Sequence, residues 1–395
     1  MSAAGNPFAA DARSARDVSL DYLRATLTLM VVAHHSSLAY TVFARFNSLD
    51  YMASTAPIVD SARWLFLDYA ENFNDVFFMS LMFLISGLFV LPSLRRSGAA
   101  AFLGHRLVRL GLPFATGMTF LMPAAYYASW LAAGHHDGFF DYWRLNITMH
   151  GWPSGPLWFV WMLLLFDAVA AALFAAFPRC PAFPGFIARP LPAFGVMVVV
   201  CALAYLPMLA VFGFGVWGPL LTKPFYFQYC RIGLYLVWFF AGAWIGARPL
   251  DQGLLSKEGS LARHWRWWVV RGFVAYNLLI LVPRDPRLIS ALSARGLGAL
   301  EAILWVLSCV ASSFGFVALF RGVVRTRRAW MDSLARSAYG IYLVHYVFVL
   351  WVQYALLDQP LPAGVKFAAT FAFALLLSWM TAQALLRIPG ARRVL

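Results

Sequence analysis

Charge is what this sequence has least of. Only 12% of its 395 residues are Asp, Glu, Lys or Arg, about half the share of a soluble globular protein. Acids are scarcer still, 17 against 31 basic residues. With 62% of residues apolar and 35 Phe, 16 Trp and 16 Tyr to keep dry, so few charges cannot cover a water-exposed surface. An ordinary soluble enzyme is excluded; the solvent is mostly lipid. Cysteine is sparse as well. Cys180 falls in a short loop and Cys201, Cys230 and Cys309 in apolar runs, without paired short spacing, so neither a disulfide framework nor a zinc site is expected. The stretch before Leu20 has no apolar core, so it does not read as a cleavable signal, and the chain is expected to start in the cytosol. No polar linker is long enough to set off a soluble domain, and no inverted repeat of the transporter kind is visible.

Apolar runs, by contrast, are abundant. A crossing helix needs about 20 residues at 1.5 Å each. Ten runs qualify, at about 20–43, 75–94, 110–133, 155–177, 191–213, 227–247, 267–283, 297–320, 337–357 and 365–387. The seventh and ninth are short or interrupted by polar groups. With the amino terminus inside, about two-thirds of the 31 Lys and Arg fall on the cytoplasmic side, as the positive-inside rule requires of an N-in, C-in protein. Most of the +14 net charge is therefore topology, and no nucleic-acid partner is implied. The expected organisation is all-α and polytopic: a cytoplasmic tail 1–18, a membrane domain 19–388 and a cytoplasmic tail 389–395.

Ionisable groups inside apolar spans cost about 2.5 to 3.5 kcal/mol or more at mid-depth, so they mark candidate function. The first span holds Arg24, His34 and His35. Arg24 and His35 are eleven residues apart, about 16 Å along a helix and about 20° past three full turns, so they share a face. Such spacing suits a ligand with an anionic head in the cytosol and a reactive end in the membrane. Coenzyme A is of this kind: its phosphates pair with arginine, and its pantetheine arm could bring a thioester to an imidazole fit for general-base work. The alternative is an Arg24 that snorkels to the interface and a His35 bonded to a neighbouring helix.

After the second span, Arg106 and Arg109 sit three apart, so they are expected on one helical face at the same mouth, where they could hold phosphate or simply enforce topology. His345 in the ninth span, with Tyr339 and Tyr342 nearby, could line the same cavity. Asp167 and Glu301 are the carboxylates that could orient an imidazole. Arg231, early in span six, reads as an outer-leaflet anchor or a contact for an anionic acceptor. His135, His136, Asp137 and His150 share an outside loop, but their spacing fits no metal pattern, and no metal is expected.

Five motifs then align with one family: the Arg24-to-His35 spacing, Phe77-Phe78 with Ile85-Ser86-Gly87, the Arg106 and Arg109 pair before Leu112-Pro113, Leu157-Trp158-Phe159, and Ser337 to His345. Together they resemble the acyltransferase 3 family of membrane O-acyltransferases, from about residue 19 onward, with the osmoregulated-glucan succinyltransferase branch most similar. The resemblance implies that Arg24 and His35 are essential and that Arg106 and Arg109 lie near the acyl-CoA site. It also implies transfer from cytoplasmic acyl-CoA to a hydroxyl on an exported or membrane-associated glycan, lipid or small molecule. Two departures matter: no extracytoplasmic esterase-like domain follows the last span, and Ser154-Gly155-Pro156 replaces a histidine before the fourth-span motif.

The expectation is thus an integral protein of the bilayer, in a bacterial inner (plasma) membrane, moving an acetyl or succinyl group from acyl-CoA. His35 is the catalytic base, Arg24, Arg106 and Arg109 hold the coenzyme, and His345, Tyr342 and Arg231 are candidate substrate contacts. Two competing readings are a transporter or flippase that uses the buried Arg and His as a path, and an acyltransferase acting on a cytosolic small molecule.

Overall fold

A computed structural model describes residues 17–51, 54–150, 153–177 and 188–395, with the side chains of 149 and 150 left aside. Cys180 lies outside this range; Cys201, Cys230 and Cys309 are buried free thiols. The described chain is almost entirely helical. Its principal helices are α1 (Val18–Leu38), α2 (Leu65–Gly87), α3 (Ala99–Ala132), α4 (Gly155–Ala176), α5 (Pro190–Phe212), α6 (Tyr229–Ile245), α7 (Trp265–Leu281), α8 (Ala294–Val323), α9 (Ala329–Leu356) and α10 (Ala363–Arg387). One short antiparallel hairpin, β1 (Trp217–Pro219) on β2 (Tyr226–Gln228), joins α5 to α6 with Gly218 opposite Phe227.

Seven of these helices are long and apolar enough to cross a membrane: α2, α3, α4, α5, α8, α9 and α10. Helix α7 has only 17 residues. Helix α1 is long enough, but it carries Asp21, Arg24, His34 and His35. Three expected spans are redrawn, the third because α3 begins at Ala99, eleven residues before the expected start, which puts Arg106 and Arg109 inside a helix continuous with the span. The second begins at Leu65, ten residues before the expected start, so Asp68 and Glu71 lie inside a helix and not in an outer loop. The ninth begins at Ala329, which makes α9 28 residues long.

Helix α1 starts at Asp17, whose carboxylate accepts from the Ser19 amide at 3.0 Å and the Ser19 hydroxyl at 2.7 Å. Arg321, fully buried near the end of α8, pairs with the same carboxylate, and Lys257 approaches it at 3.7 Å. Burial pushes the Asp17 carboxyl up, but the hydrogen bonds from Ser19 and Arg321 and the charges of Arg321 and Lys257 outweigh it and hold it at about 2. An N-cap in this position also meets the positive end of the helix dipole.

Within the bundle α1 packs between α2 and α9, α9 against α10 and α3, α2 against α6, and α7 against α8. The α2–α6 crossing depends on glycine: a Cβ at Gly242 would lie 2.0 Å from the Leu84 carbonyl oxygen, and one at Gly87 2.1 Å from that of Phe239. In lipid, where apolar burial does not drive helices together, such close backbone approach supplies the packing. On the far side, Lys366 of α10 donates to Asp60 at 2.6 Å and to the Leu357 carbonyl at 3.1 Å, both charges fully buried. This pair fastens the loop after α1 to α10.

Candidate active site

The ninth helix is the wall on which the candidate residues meet. Arg24 Nη2 donates to the Ala335 carbonyl at 3.4 Å and to Asp21 at 3.3 Å. One turn along α9, the Tyr339 hydroxyl donates to the Arg109 carbonyl at 2.6 Å. Tyr342 donates to the Pro156 carbonyl at the start of α4. Above it the His345 ring stacks on His35 at 5.3 Å between centroids. Gln353 then donates to the carbonyls of His35 and Ser36, at 2.9 and 3.2 Å, holding the end of α1 in register. Ala335 to His345 is ten residues, about 15 Å of helix rise. Arg24 and His35 therefore face the same neighbour, separated by the length expected from their spacing.

Between them the groove is closed. Thr28 and Val31 lie on the same face of α1 and are buried, while Arg24 and His35 at either end keep partly open sides. An apolar cavity of about 330 Å³ between α5, α6 and α8 is lined by residues such as Val196, Leu236 and Phe314 and by none of the three imidazoles.

The histidines form a cluster. His34 meets His35 edge-on at 5.2 Å, and His35 also meets Tyr346 at 5.0 Å. His345 Nδ1 lies 2.7 Å from the Tyr342 carbonyl oxygen, which can only accept, so that nitrogen carries the proton and Nε2 presents a bare lone pair. His34 Nδ1, His35 Nδ1 and His345 Nε2 are all buried without a hydrogen-bond partner among the described residues. Three orphaned ring nitrogens in one cluster are costly unless a ligand or water completes them. His345 lies 16 residues into α9, about 24 Å, because the helix starts at Ala329 and not near 337. That depth matches His35, 17 residues into α1.

Behind His34 lies a set of charges that reading by hydropathy missed. His34 Nε2 is 3.6 Å from Glu71 Oε1. One turn on, Asp75 takes Arg231 Nη1 at 2.8 Å on Oδ1 and Nη2 on Oδ2. Arg231 is fully enclosed, its guanidinium 5.1 Å from the Phe214 ring and 5.0 Å from that of Trp305. Its charge is met by Asp75. The spacing of Asp68, Glu71 and Asp75, three and four residues apart, was the available signal: it is one face of a helix, not a loop.

The arginine pair divides. Arg106 Nε lies 3.1 Å from Asp167 Oδ2 of α4, so Asp167 faces this arginine and orients no imidazole. Glu301 is exposed on α8. Arg109 sits in a π-helical turn, Leu107–Gly111, whose wider pitch disturbs the simple three-apart alignment; Arg109 is exposed while Arg106 is half-buried. In the outer loop, His135 stacks on Trp130 at 3.5 Å. Among the described residues no group of three or more His, Cys, Asp or Glu could hold a metal.

A family profile described as acyltransferase domain matches residues 17–383, which takes in every residue of this wall. The chain belongs to the acyltransferase 3 family. No curated protein and no solved structure matches it. The cluster places the His35 imidazole next to a second imidazole, that of His345, whose Nε2 has no hydrogen-bond partner among the described residues. Cations stand one helix-length of several turns away.

Proposed function

We propose that this membrane acyltransferase moves an acyl group, acetyl or succinyl, from cytoplasmic acyl-CoA to a hydroxyl of a glycan, glycolipid or other exported acceptor. The observation that carries the reading is the common wall of α9, which Arg24 touches at one end and His35 at the other, about 15 Å apart. An N-in, C-in orientation across a bacterial inner membrane, supported by the excess of basic residues on the amino-terminal side, puts Arg24, Arg106 and Arg109 in reach of a cytoplasmic coenzyme.

In this reading the arginines take the coenzyme phosphates, and the pantetheine arm enters along Thr28 and Val31, which must give way. Arg106 then gives up or shares its ion pair with Asp167. His35 removes the proton of the acceptor hydroxyl as its oxygen attacks the thioester carbonyl. The carbon–sulfur bond breaks, and the imidazolium returns its proton to the departing thiolate, so the histidine ends neutral. His345 lies against His35 and Tyr342 next to it, as candidate contacts for the acceptor. Arg231, closed off by Asp75, supports the cluster from behind.

The test is release of free CoA thiol from acetyl-CoA or succinyl-CoA by purified protein in nanodiscs, with and without acceptor extracted from the cell envelope. The expected result is acceptor-dependent thiol release that His35→Ala abolishes while the variant elutes and melts like the parent. Acceptor-dependent release unchanged in His35→Ala overturns the catalytic assignment. No release with any acceptor, together with substrate movement across the bilayer, favours a transport role.

A further inference from the structure

A second built site lies away from the imidazoles, at the bundle end where α1 begins. A cleft of about 520 Å³ opens between the start of α5 and the start of α7, lined by Arg189, Ser260, His264, Trp267, Trp268 and Arg271 together with Pro190 and Leu191. Two guanidinium groups and an imidazole converge there with a hydroxyl, and among the described residues no carboxylate lines it. The acid closest in sequence, Glu258, is engaged elsewhere, by Arg325 Nη1 at 2.9 Å. Arg271 is held by stacking over Trp268, 4.7 Å from its ring centre, and Ser260 caps the His264 ring through its backbone carbonyl, 2.9 Å from Nδ1.

What surrounds the cleft narrows the occupant. Along α7 above it, Trp267, Val270, Phe273 and Val274 are exposed, 65%, 49%, 64% and 47%, and Leu191 on α5 is 61% exposed. The basic groups therefore sit at the foot of an apolar strip that only acyl chains would cover, with an indole at the boundary where interfacial Trp belongs. A soluble anion would meet the foot alone, whereas a lipid phosphate seated there has its chains continuous with the strip; a zwitterionic lipid brings its own cation into a cleft that already has three basic groups. Basic pockets between membrane helices on the cytoplasmic side are the usual seat of anionic lipid headgroups.

We infer that this cleft binds the headgroup phosphate of an anionic glycerophospholipid whose acyl chains lie along the exposed strip of α5 and α7. The site is independent of the catalytic reading, and its test does not use acyl transfer. Purified full-length protein is delipidated in mild detergent, titrated with phosphatidylglycerol or phosphatidylcholine, and followed by native mass spectrometry. Phosphatidylglycerol should saturate one tight site that phosphatidylcholine does not fill. Arg189→Gln with Arg271→Gln should weaken it about thirtyfold, equivalent to about 2 kcal/mol for two cationic contacts. Arg392→Gln, basic and at the carboxyl-terminal end, should leave it unchanged. The replaced side chains are on the surface, and elution volume with thermal midpoint checks folding; Ser260→Glu, which places an anion in the cleft, gives the same answer by another route. Equal binding of the two lipids, or retention by both the double variant and Ser260→Glu, overturns the inference. Displacement of the lipid by millimolar inorganic phosphate would also overturn it, reassigning the cleft to a soluble anion.

Discussion

Neutralising Asp75 should be the most damaging single-atom-scale change in the bundle. Asp75→Asn preserves shape and removes the charge that faces Arg231 at 2.8 Å. At that separation and an effective dielectric of 20, Coulomb attraction is about 6 kcal/mol, against a desolvation cost of several kcal/mol for each ion. The wild-type pair therefore adds little net stability. Its half-removal does not share that cancellation, because the guanidinium stays buried between Phe214 and Trp305 with neutral oxygens only, the asparagine side-chain carbonyl and the residue-75 backbone carbonyl at 3.2 Å among them, and no counter-charge. Breaking such a pair costs about 3 to 5 kcal/mol. The double variant Asp75→Leu with Arg231→Met removes both charges and should recover most of that loss. The assay is chemical unfolding in mixed detergent micelles, followed by circular dichroism, for the parent, both single variants and the double. If Asp75→Asn costs under about 1 kcal/mol, or if the double variant loses as much as the two singles together, the buried pair does not carry its charges as described.

Other expectations follow from the same geometry. His345→Phe keeps the ring against His35 and removes the lone pair on Nε2; turnover should fall by about a hundredfold or more with little change in thermal midpoint, measured as CoA release. Arg109→Ala should raise KM for the acyl-CoA severalfold and leave kcat near the parent value, whereas a loss in kcat alone would place that arginine at the chemistry and not at the coenzyme. Asp17 is held at about 2 when folded against an ordinary 3.8, so its contribution is complete above about pH 4 and disappears as pH falls through 2. Allowing for solvent access to this partly exposed group, the effect is about 1 kcal/mol, and Asp17→Asn should flatten the acid limb of the stability profile by that amount.

How much of this was readable beforehand varies residue by residue. Run length located most helices to within a few positions, because a 1.5 Å rise against a fixed hydrocarbon thickness leaves little freedom. The shared face of Arg24 and His35 was legible for a similar reason, since both follow from the pitch of one helix. The second span was misplaced at its start because hydropathy treats Asp68 and Glu71 as solvent-facing, and the partners of this acidic face lie far off in sequence: His34 beside Glu71, and Arg231 on Asp75, the next acid along. Asp167 illustrates the same limit. Its closeness to Arg106 bridges 61 positions and two helices, and local pattern contains no trace of it. The tautomer of His345 was also out of reach, because it depends on which backbone oxygen the ring meets.

The π-helical turn at Leu107–Gly111 has an implication for how this protein tolerates change. Excising one residue from an ordinary helix swings everything beyond it by about 100° and scrambles its packing. A widened turn already holds a surplus residue, so a deletion there would relax the coil to normal pitch while its two flanks kept their partners. The stretch bearing Arg109 is therefore a seam in the third helix where chain length is adjustable, and the spacing between the two arginines can change there without dislodging the rest of the bundle.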